Sequence, residues 1–379
     1  MEQGYVASDE LVESRALTGL RGVGAALVMS HHLYLRIGLD QHLPMVQWVL
    51  RKGYLGVDLF FVLSGFIMSM VYGSWFGGPA HGSGVAYLRF IVRRVARLWP
   101  MHVVVVLAVL GQGWLQDLPG FGARVIAENV AMVQAWGHST EINPPAWSIS
   151  TEFLAYLFFP LLAMLALRGT WRPVFCMVGV ALALGVCMYY SPPIGLVRRG
   201  RLDLYLNYSV LPSLRCLSGF VIGMLAWRLG QLGPVRRLMG LDWVGPVFLV
   251  GMLAMMLGRV NDLLTLMVMP LVVMGFHFGR GPVHRAFGRS PMHELGVLSY
   301  AIYLVHFMLL TLFPFDYGPL RFMLPAYVAV TVLLAVAMHY GIERPGRRLI
   351  RGTGEGVLSS LWPRAASPVL ERPLRDRAP

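Results

Sequence analysis

An arginine and two histidines stand inside residues 17–34, LTGLRGVGAALVMSHHLY, a run otherwise apolar enough to span a bilayer. Ionisable groups at membrane depth are costly, so they face a partner, a cavity or a substrate path. Arg21 and His32 lie eleven positions apart. At about 100° per residue that is three turns plus roughly 20°, so both project from one helix face, about 16 Å apart along it. His31 points well off that stripe, which leaves His32 as the candidate. A neutral imidazole there could serve as general base toward a hydroxyl or as a nucleophile.

A second set of polar groups falls in other apolar runs. Asp58 sits in YLGVDLFFVLSGFIMS, Glu152 in NPPAWSISTEFLAYLFFP and His306 in LSYAIYLVHF. Each could pair with another simply to cancel desolvation, since a lone carboxylate at depth would be neutralised. A histidine with an acidic orienter is also the minimal kit for work on a hydroxyl. Asn143, Pro144 and Pro145 fix the start of a helix at Trp147 and Ser148, which puts Glu152 about a turn and a half inside it, at a depth like that of His32. Glu152 is the candidate for fixing the His32 tautomer; the alternative is an ion pair with Arg21 or Arg215. Tyr300, Tyr303 and His306 recur at three-residue spacing, as core packing or as the wall of a polar cavity. With Asp58, Trp147 and Ser148 they make up a supporting polar site. His277 and His339 read as structural residues.

Arg93, Arg94 and Arg97, just before Trp99, Pro100 and His102, form a compact cationic group. They suit lipid phosphates and the fixing of topology, or a dock for a phosphorylated cytoplasmic donor, because guanidinium forks match phosphate oxygens. No Walker loop, paired CxxC, HExxH or GxSxG occurs, against an ATPase, zinc or serine hydrolase reading. No metal site is expected. Cys176, Cys187 and Cys216 fall in apolar runs and read as packing residues.

The elements that must position these groups are membrane helices. With 379 residues, 56% hydrophobic content and a mean hydropathy of +0.60, the chain reads as an all-α polytopic membrane protein. A single membrane domain, residues 16–348, is expected between an N-terminal segment 1–15 and a basic, proline-containing tail 349–379. About ten spans follow from about 20 apolar residues each: 16–35, 54–72, 98–115, 147–167, 173–190, 210–229, 243–257, 262–278, 294–313 and 322–341. The seventh and eighth are the weakest. Residues 85–98, with Arg89, Arg93 and Arg97 at spacings of four, read as an amphipathic helix in the interface between the second and third spans. Residues 125–136 read as interfacial or re-entrant, and the chain from Gly352 as a flexible tail.

A net charge of +13 reflects membrane topology here rather than nucleic acid. With both termini cytoplasmic, about 21 basic residues fall on that side and about 9 on the other. Arg198, Arg199 and Arg201 are the discordant loop, a local anomaly or a site for an anionic ligand. The acidic start (Glu2, Asp9, Glu10, Glu13) lacks a positive n-region, so the first apolar run reads as a retained helix rather than a signal peptide.

Six segments in order, Arg21 with His32, GVDLFFVLSGF (56–66), RVAR (94–97), NPPAWSISTE (143–152), LSYAIYLVH (298–306) and IERP (342–345), make the chain resemble the acyltransferase 3 family of integral-membrane acyltransferases. The resemblance runs from about residue 17 to 348. It implies ten helices in a bacterial inner membrane and a cytoplasmic acyl-CoA co-substrate, acetyl-CoA in the first instance, with no bound cofactor. The acceptor it implies is a hydroxyl of a glycan, exopolysaccharide or lipid-linked sugar. It further implies that Arg21 and His32 are the essential first-helix pair, that Arg94 and Arg97 belong to the donor-side RxxR motif, and that Glu152 is the site carboxylate. Membrane lipids and polysaccharide synthesis or export machinery are the implied partners. Larger family members append an extracytoplasmic esterase-like domain; this chain is expected to complete transfer without one or with a separate partner. Two other classes compete: a transporter or flippase with a His/Asp/Glu proton relay, against which no inverted repeat is visible, and a structural subunit of an export assembly.

Overall fold

Backbone groups in hydrocarbon must bond one another, and apolar runs of this length do so as helices. The computed structural model describes residues 15–38, 45, 47–77, 84–190, 202–203, 208–258 and 260–362, and no strand occurs among them. The helices are α1 (Arg15–Ile37), α2 (Gln47–Lys52), α3 (Gly56–Gly77), α4 (Gly84–Leu115), α5 (Ala123–Val130), α6 (Trp147–Ala166), α7 (Arg172–Tyr190) and α8 (Leu211–Gly230). There follow α9 (Gly233–Met239), α10 (Val244–Leu257), α11 (Asp262–Phe278), α12 (Pro282–Phe287), α13 (Met292–Val297), α14 (Ser299–Leu312), α15 (Leu320–Met338) and α16 (Arg344–Leu361), the last two joined by a π turn, His339–Glu343.

A helix stands in each of the ten expected ranges. By length and composition, however, four continuous stretches among the described residues are fit to cross a bilayer: Gln47–Phe76, Gly84–Leu115, Pro144–Ala166 and Leu320–Leu361. A fifth is added if α8 and α9, bent by 104°, count as one. Helices α10, α11 and α14 are apolar but shorter. At 23 residues α1 is long enough, but Arg21, His31 and His32 dilute its apolar character. The chain is a helical membrane protein whose described residues hold four or five spans on this measure, against the ten expected.

Two expectations need correction. The amphipathic stretch 85–98 is not a separate interfacial helix: it is the first half of α4, which runs through Pro100 to Leu115. Proline is tolerated there because it removes a single backbone donor that neighbouring groups can compensate. That half is packed against protein, with Arg93 Nε donating to Glu355 of α16 at 2.8 Å. Cβ atoms added to Gly346 or Gly354 of α16 would come within 2.6 Å of Pro100 or Val92. The same contact explains the second correction, since α16 continues as helix to Leu361, into the range expected to be a tail. The acidic residues before position 15, the Arg198, Arg199 and Arg201 loop, and residues 363–379 lie outside the described residues.

Helix α3 runs through the centre of the bundle. Its approach to α8 is close: a Cβ on Gly65 would fall 1.8 Å from the Phe220 carbonyl oxygen, and one on Gly223 2.0 Å from that of Val62. Small residues at such crossings let helix backbones touch. Residues 125–136 form α5 and the turns after it. The Asn129 side chain organises them, donating to the carbonyls of Val125 and Thr140 at 2.9 Å each and accepting from the Ile142 amide at 3.0 Å. Asn143 then donates to the Leu304 carbonyl at 3.1 Å, pinning the start of α6 against α14.

Candidate active site

Between α1, α3, α4, α6, α13, α14 and the π turn lies a cavity of about 810 Å³. That is within the roughly 300–1,000 Å³ of small-molecule sites. Arg15, Arg21, Arg94, Arg97, Arg344 and Arg347 line it, against two carboxylates, Glu152 and Glu343. Arg15 opens α1 and Arg344 opens α16, and both line this cavity.

The arginines differ in what holds them. Arg97 is ion-paired with Glu343, which also takes the His339 Nδ1 at 2.8 Å, and its guanidinium lies 5.5 Å from the Tyr300 ring. Arg94 has aromatic company instead: Nη2 donates to the Tyr72 hydroxyl at 2.8 Å, and its guanidinium stands 4.9 Å from the Tyr72 ring centre. Its Nε is buried with no hydrogen-bond partner. Among the described residues no carboxylate pairs with Arg15, Arg94 or Arg344. Arg93, expected in the same cationic group, does not line the cavity; it lies against Trp75 at 5.2 Å and Glu355.

On the α6 wall, Glu152 accepts the Tyr156 hydroxyl proton at 2.5 Å. Tyr156 thus has an oxygen left to accept, and the Ser64 hydroxyl lies 2.9 Å from it. Ser148, Tyr303 and the Pro145 carbonyl close a triangle, with 2.7 Å between the two hydroxyls and the tyrosine donating to Pro145 at 2.9 Å. Tyr300 donates to the Leu98 carbonyl at 2.7 Å. Tyr300 and Tyr303 both line the cavity, whereas His306, the third residue of that spacing, does not.

His306 is fully buried one turn beyond Tyr303, their ring centres 6.0 Å apart. Its Nε2 lies 3.0 Å from the Nδ1 of half-buried His32. His32 is not among the cavity-lining residues; its link to the cavity runs through His306, whose ring adjoins that of the lining residue Tyr303. His31 is held elsewhere, its Nδ1 2.9 Å from the Leu50 carbonyl oxygen.

The structure therefore brings Arg21, Glu152, Arg94, Arg97, Ser148, Tyr300 and Tyr303 to one cavity and joins His32 to His306 just past it. It places Asp58 and Trp147 in a different role. Arg215 holds Asp58 through two hydrogen bonds, and the Trp147 ring lies 5.4 Å from the same guanidinium. Arg215 is thereby committed to Asp58 and not to Glu152. The sequence reading missed Ser64, Tyr72 and Tyr156, although Tyr156 follows Glu152 by one helical turn. It also missed a buried cluster at the other end of the bundle, in which Asp262 accepts from Tyr54 at 2.8 Å and pairs with Lys52 at 3.2 Å. Among the described residues no three His, Cys, Asp or Glu side chains gather to hold a metal ion. Cys176, Cys187 and Cys216 are free thiols, the last two buried as packing residues.

Fold and cavity together define a helical membrane protein with an internal arginine-rich chamber. A sequence model of an acyltransferase domain, acyltransferase 3, matches residues 14–340, and the chain belongs to that family. It is 25% identical to the acyltransferase MdmB of Streptomyces mycarofaciens over 376 aligned residues, covering 90% of this chain and 93% of that protein. A provisionally named O-acetyltransferase of Staphylococcus aureus strain COL is 29% identical over 194 residues, 46% of this chain and 30% of that protein. This chain thus matches under a third of the staphylococcal relative's length. A protein of Rhizobium radiobacter named protein 2 in the picA locus is 33% identical over 88 residues, 23% of this chain and 39% of that protein. No solved structure matches the chain at a significant level.

Proposed function

We propose that this family member is an O-acyltransferase of a bacterial inner membrane. It moves an acyl group, acetyl in the first instance, from cytoplasmic acyl-CoA to a hydroxyl of a glycan, exopolysaccharide or lipid-linked sugar at or across the membrane. The observation that carries the reading is Arg94, a guanidinium on the cavity wall with a buried, partnerless Nε and no carboxylate. A cation so placed fits phosphate oxygens, and Arg97 and Arg344 stand in the same cavity. The arginine-bearing end is then the cytoplasmic one. In this reading both termini are cytoplasmic, as the distribution of basic residues favours.

The phosphates of the acyl donor sit against Arg94, Arg97 and Arg344, and its arm follows the apolar wall of α3, Phe60 and Met68, toward Ser148 and Tyr303. Arg21 and Glu152 line that route and hold the thioester in place. Past Tyr303, neutral His32 of α1, bonded to His306, meets the acyl group. Either His32 takes the proton of the acceptor hydroxyl while its oxygen displaces the thiolate, or the imidazole displaces the thiolate and passes the acyl group on. In both, a C–S bond breaks, a C–O ester bond forms, and the hydroxyl proton ends on the CoA sulfur. Lipids and polysaccharide synthesis or export machinery are the partners in this reading, and the +13 charge is assigned to membrane and donor rather than to nucleic acid.

Membranes carrying the chain, incubated with radiolabelled acetyl-CoA, test the reading. Label in a glycan or lipid fraction supports it. Solute uptake without label transfer overturns it in favour of a transporter. Mass spectrometry of envelope glycans from cells with and without the chain then identifies the acceptor.

A further inference from the structure

We infer that His306 is the positioning residue for His32, fixing it as the tautomer protonated on Nδ1, so that Nε2 does the chemistry. This rests on the reading of His32 as base or nucleophile. The hydrogen bonds run in one direction only. The Nδ1 of His306 lies 3.1 Å from the Ile302 carbonyl oxygen, which accepts and cannot donate, so that nitrogen carries the proton. In the neutral ring Nε2 is then an acceptor. The Nδ1 of His32, 3.0 Å away, must be the donor, which leaves the lone pair of His32 on Nε2.

The orienter is itself held in place. Tyr327 donates to the His306 carbonyl at 2.7 Å, fixing that turn of α14. The His306 ring is fully buried. Phe307 and the His32 ring pack edge to face, 5.2 Å between centres, limiting the rotation of His32. The carboxylate that the sequence offered for this task, Glu152, accepts from Tyr156 instead. A histidine pair thus replaces the usual histidine and acid, and it sets the tautomer of a reactive imidazole just as a hydrogen bond to the other ring nitrogen does in general.

Purified protein in nanodiscs, assayed with acetyl-CoA and the membrane fraction that accepts label, tests the assignment. His306→Gln keeps a carbonyl oxygen able to accept the His32 proton and should hold kcat within about tenfold. His306→Leu removes the acceptor and should lower kcat about 10²- to 10⁴-fold with the KM for acetyl-CoA unchanged. Equal impairment of both variants, or wild-type rates in both while His32→Ala is inactive, overturns the role of His306 and leaves that of His32 standing. A wild-type rate in His32→Ala overturns the reading of His32 itself. Should the leucine variant not fold, nitrogen-15 NMR of labelled histidine in the wild-type protein decides: an unprotonated Nε2 on His32 supports the assignment, an unprotonated Nδ1 overturns it.

Discussion

Arg215 of α8 grips Asp58 of α3 at both carboxylate oxygens, 2.9 Å from Nε and 2.5 Å from Nη2, with both side chains buried. The Gly65 and Gly223 crossing makes this reach possible, and the same Nη2 also donates to the Tyr54 carbonyl at 3.2 Å. Removing one member of such a pair strands the other charge. Asp58→Asn or Arg215→Gln should therefore cost about 3–5 kcal/mol of stability, whereas Asp58→Leu combined with Arg215→Met should recover much of it. Thermal unfolding in detergent reads this out. A double variant less stable than either single one would contradict a structural role.

Three of the four arginines of α4, Arg93, Arg94 and Arg97, should separate in kinetics. Arg94→Gln, and Arg97→Gln made together with Glu343→Gln so that no buried carboxylate is stranded, should each raise the KM for acetyl-CoA about 10- to 100-fold, the worth of a charged hydrogen bond. Arg93→Gln should leave that KM within about twofold, because Arg93 faces Trp75 and Glu355. A KM that rises equally in all three would return Arg93 to the binding site.

Much of this was legible in the sequence because membrane helices announce themselves by composition, and because charges inside them are few. Helical phase separated His32 from His31, and the structure gives the two rings different partners, His306 and the Leu50 carbonyl. Phase says which residues share a face but not which helices touch. The pairing of Asp58 with Arg215, 157 positions away, and of His32 with His306, 274 positions away, is decided by packing. The interfacial helix failed for a related reason: the pattern Arg89, Arg93, Arg97 suits a lipid surface and an amphipathic partner equally, and α16 is that partner. Tyr156 and Ser64 carry no signal of their own in a run rich in aromatic and small residues.

Stability should depend on pH through His284, in α12 between apolar helices. Its Nε2 donates to the Gly275 carbonyl at 3.1 Å, while Nδ1 is buried without a partner. Burial holds its pKa below the ordinary 6.5. The unfolded chain thus takes up the proton first, so the stabilisation is complete above about pH 6.5 and is lost as pH falls through the lower folded value. Unfolding temperatures of the wild type should decline from about pH 7 to about pH 5, and less steeply in His284→Gln, whose amide can still donate to Gly275. Equal slopes would remove His284 as a source of the acid sensitivity.

The most direct test is transfer of radiolabelled acetyl from acetyl-CoA by purified wild type and His32→Ala, with acetyl-CoA binding to each measured in parallel. The arginine-lined cavity should bind acetyl-CoA in both proteins within about threefold, while transfer by His32→Ala falls on the order of 10²- to 10⁴-fold. Undiminished transfer by His32→Ala would contradict the role given to the imidazole beyond Tyr303, and absence of acetyl-CoA binding to the wild type would contradict the role given to the cavity.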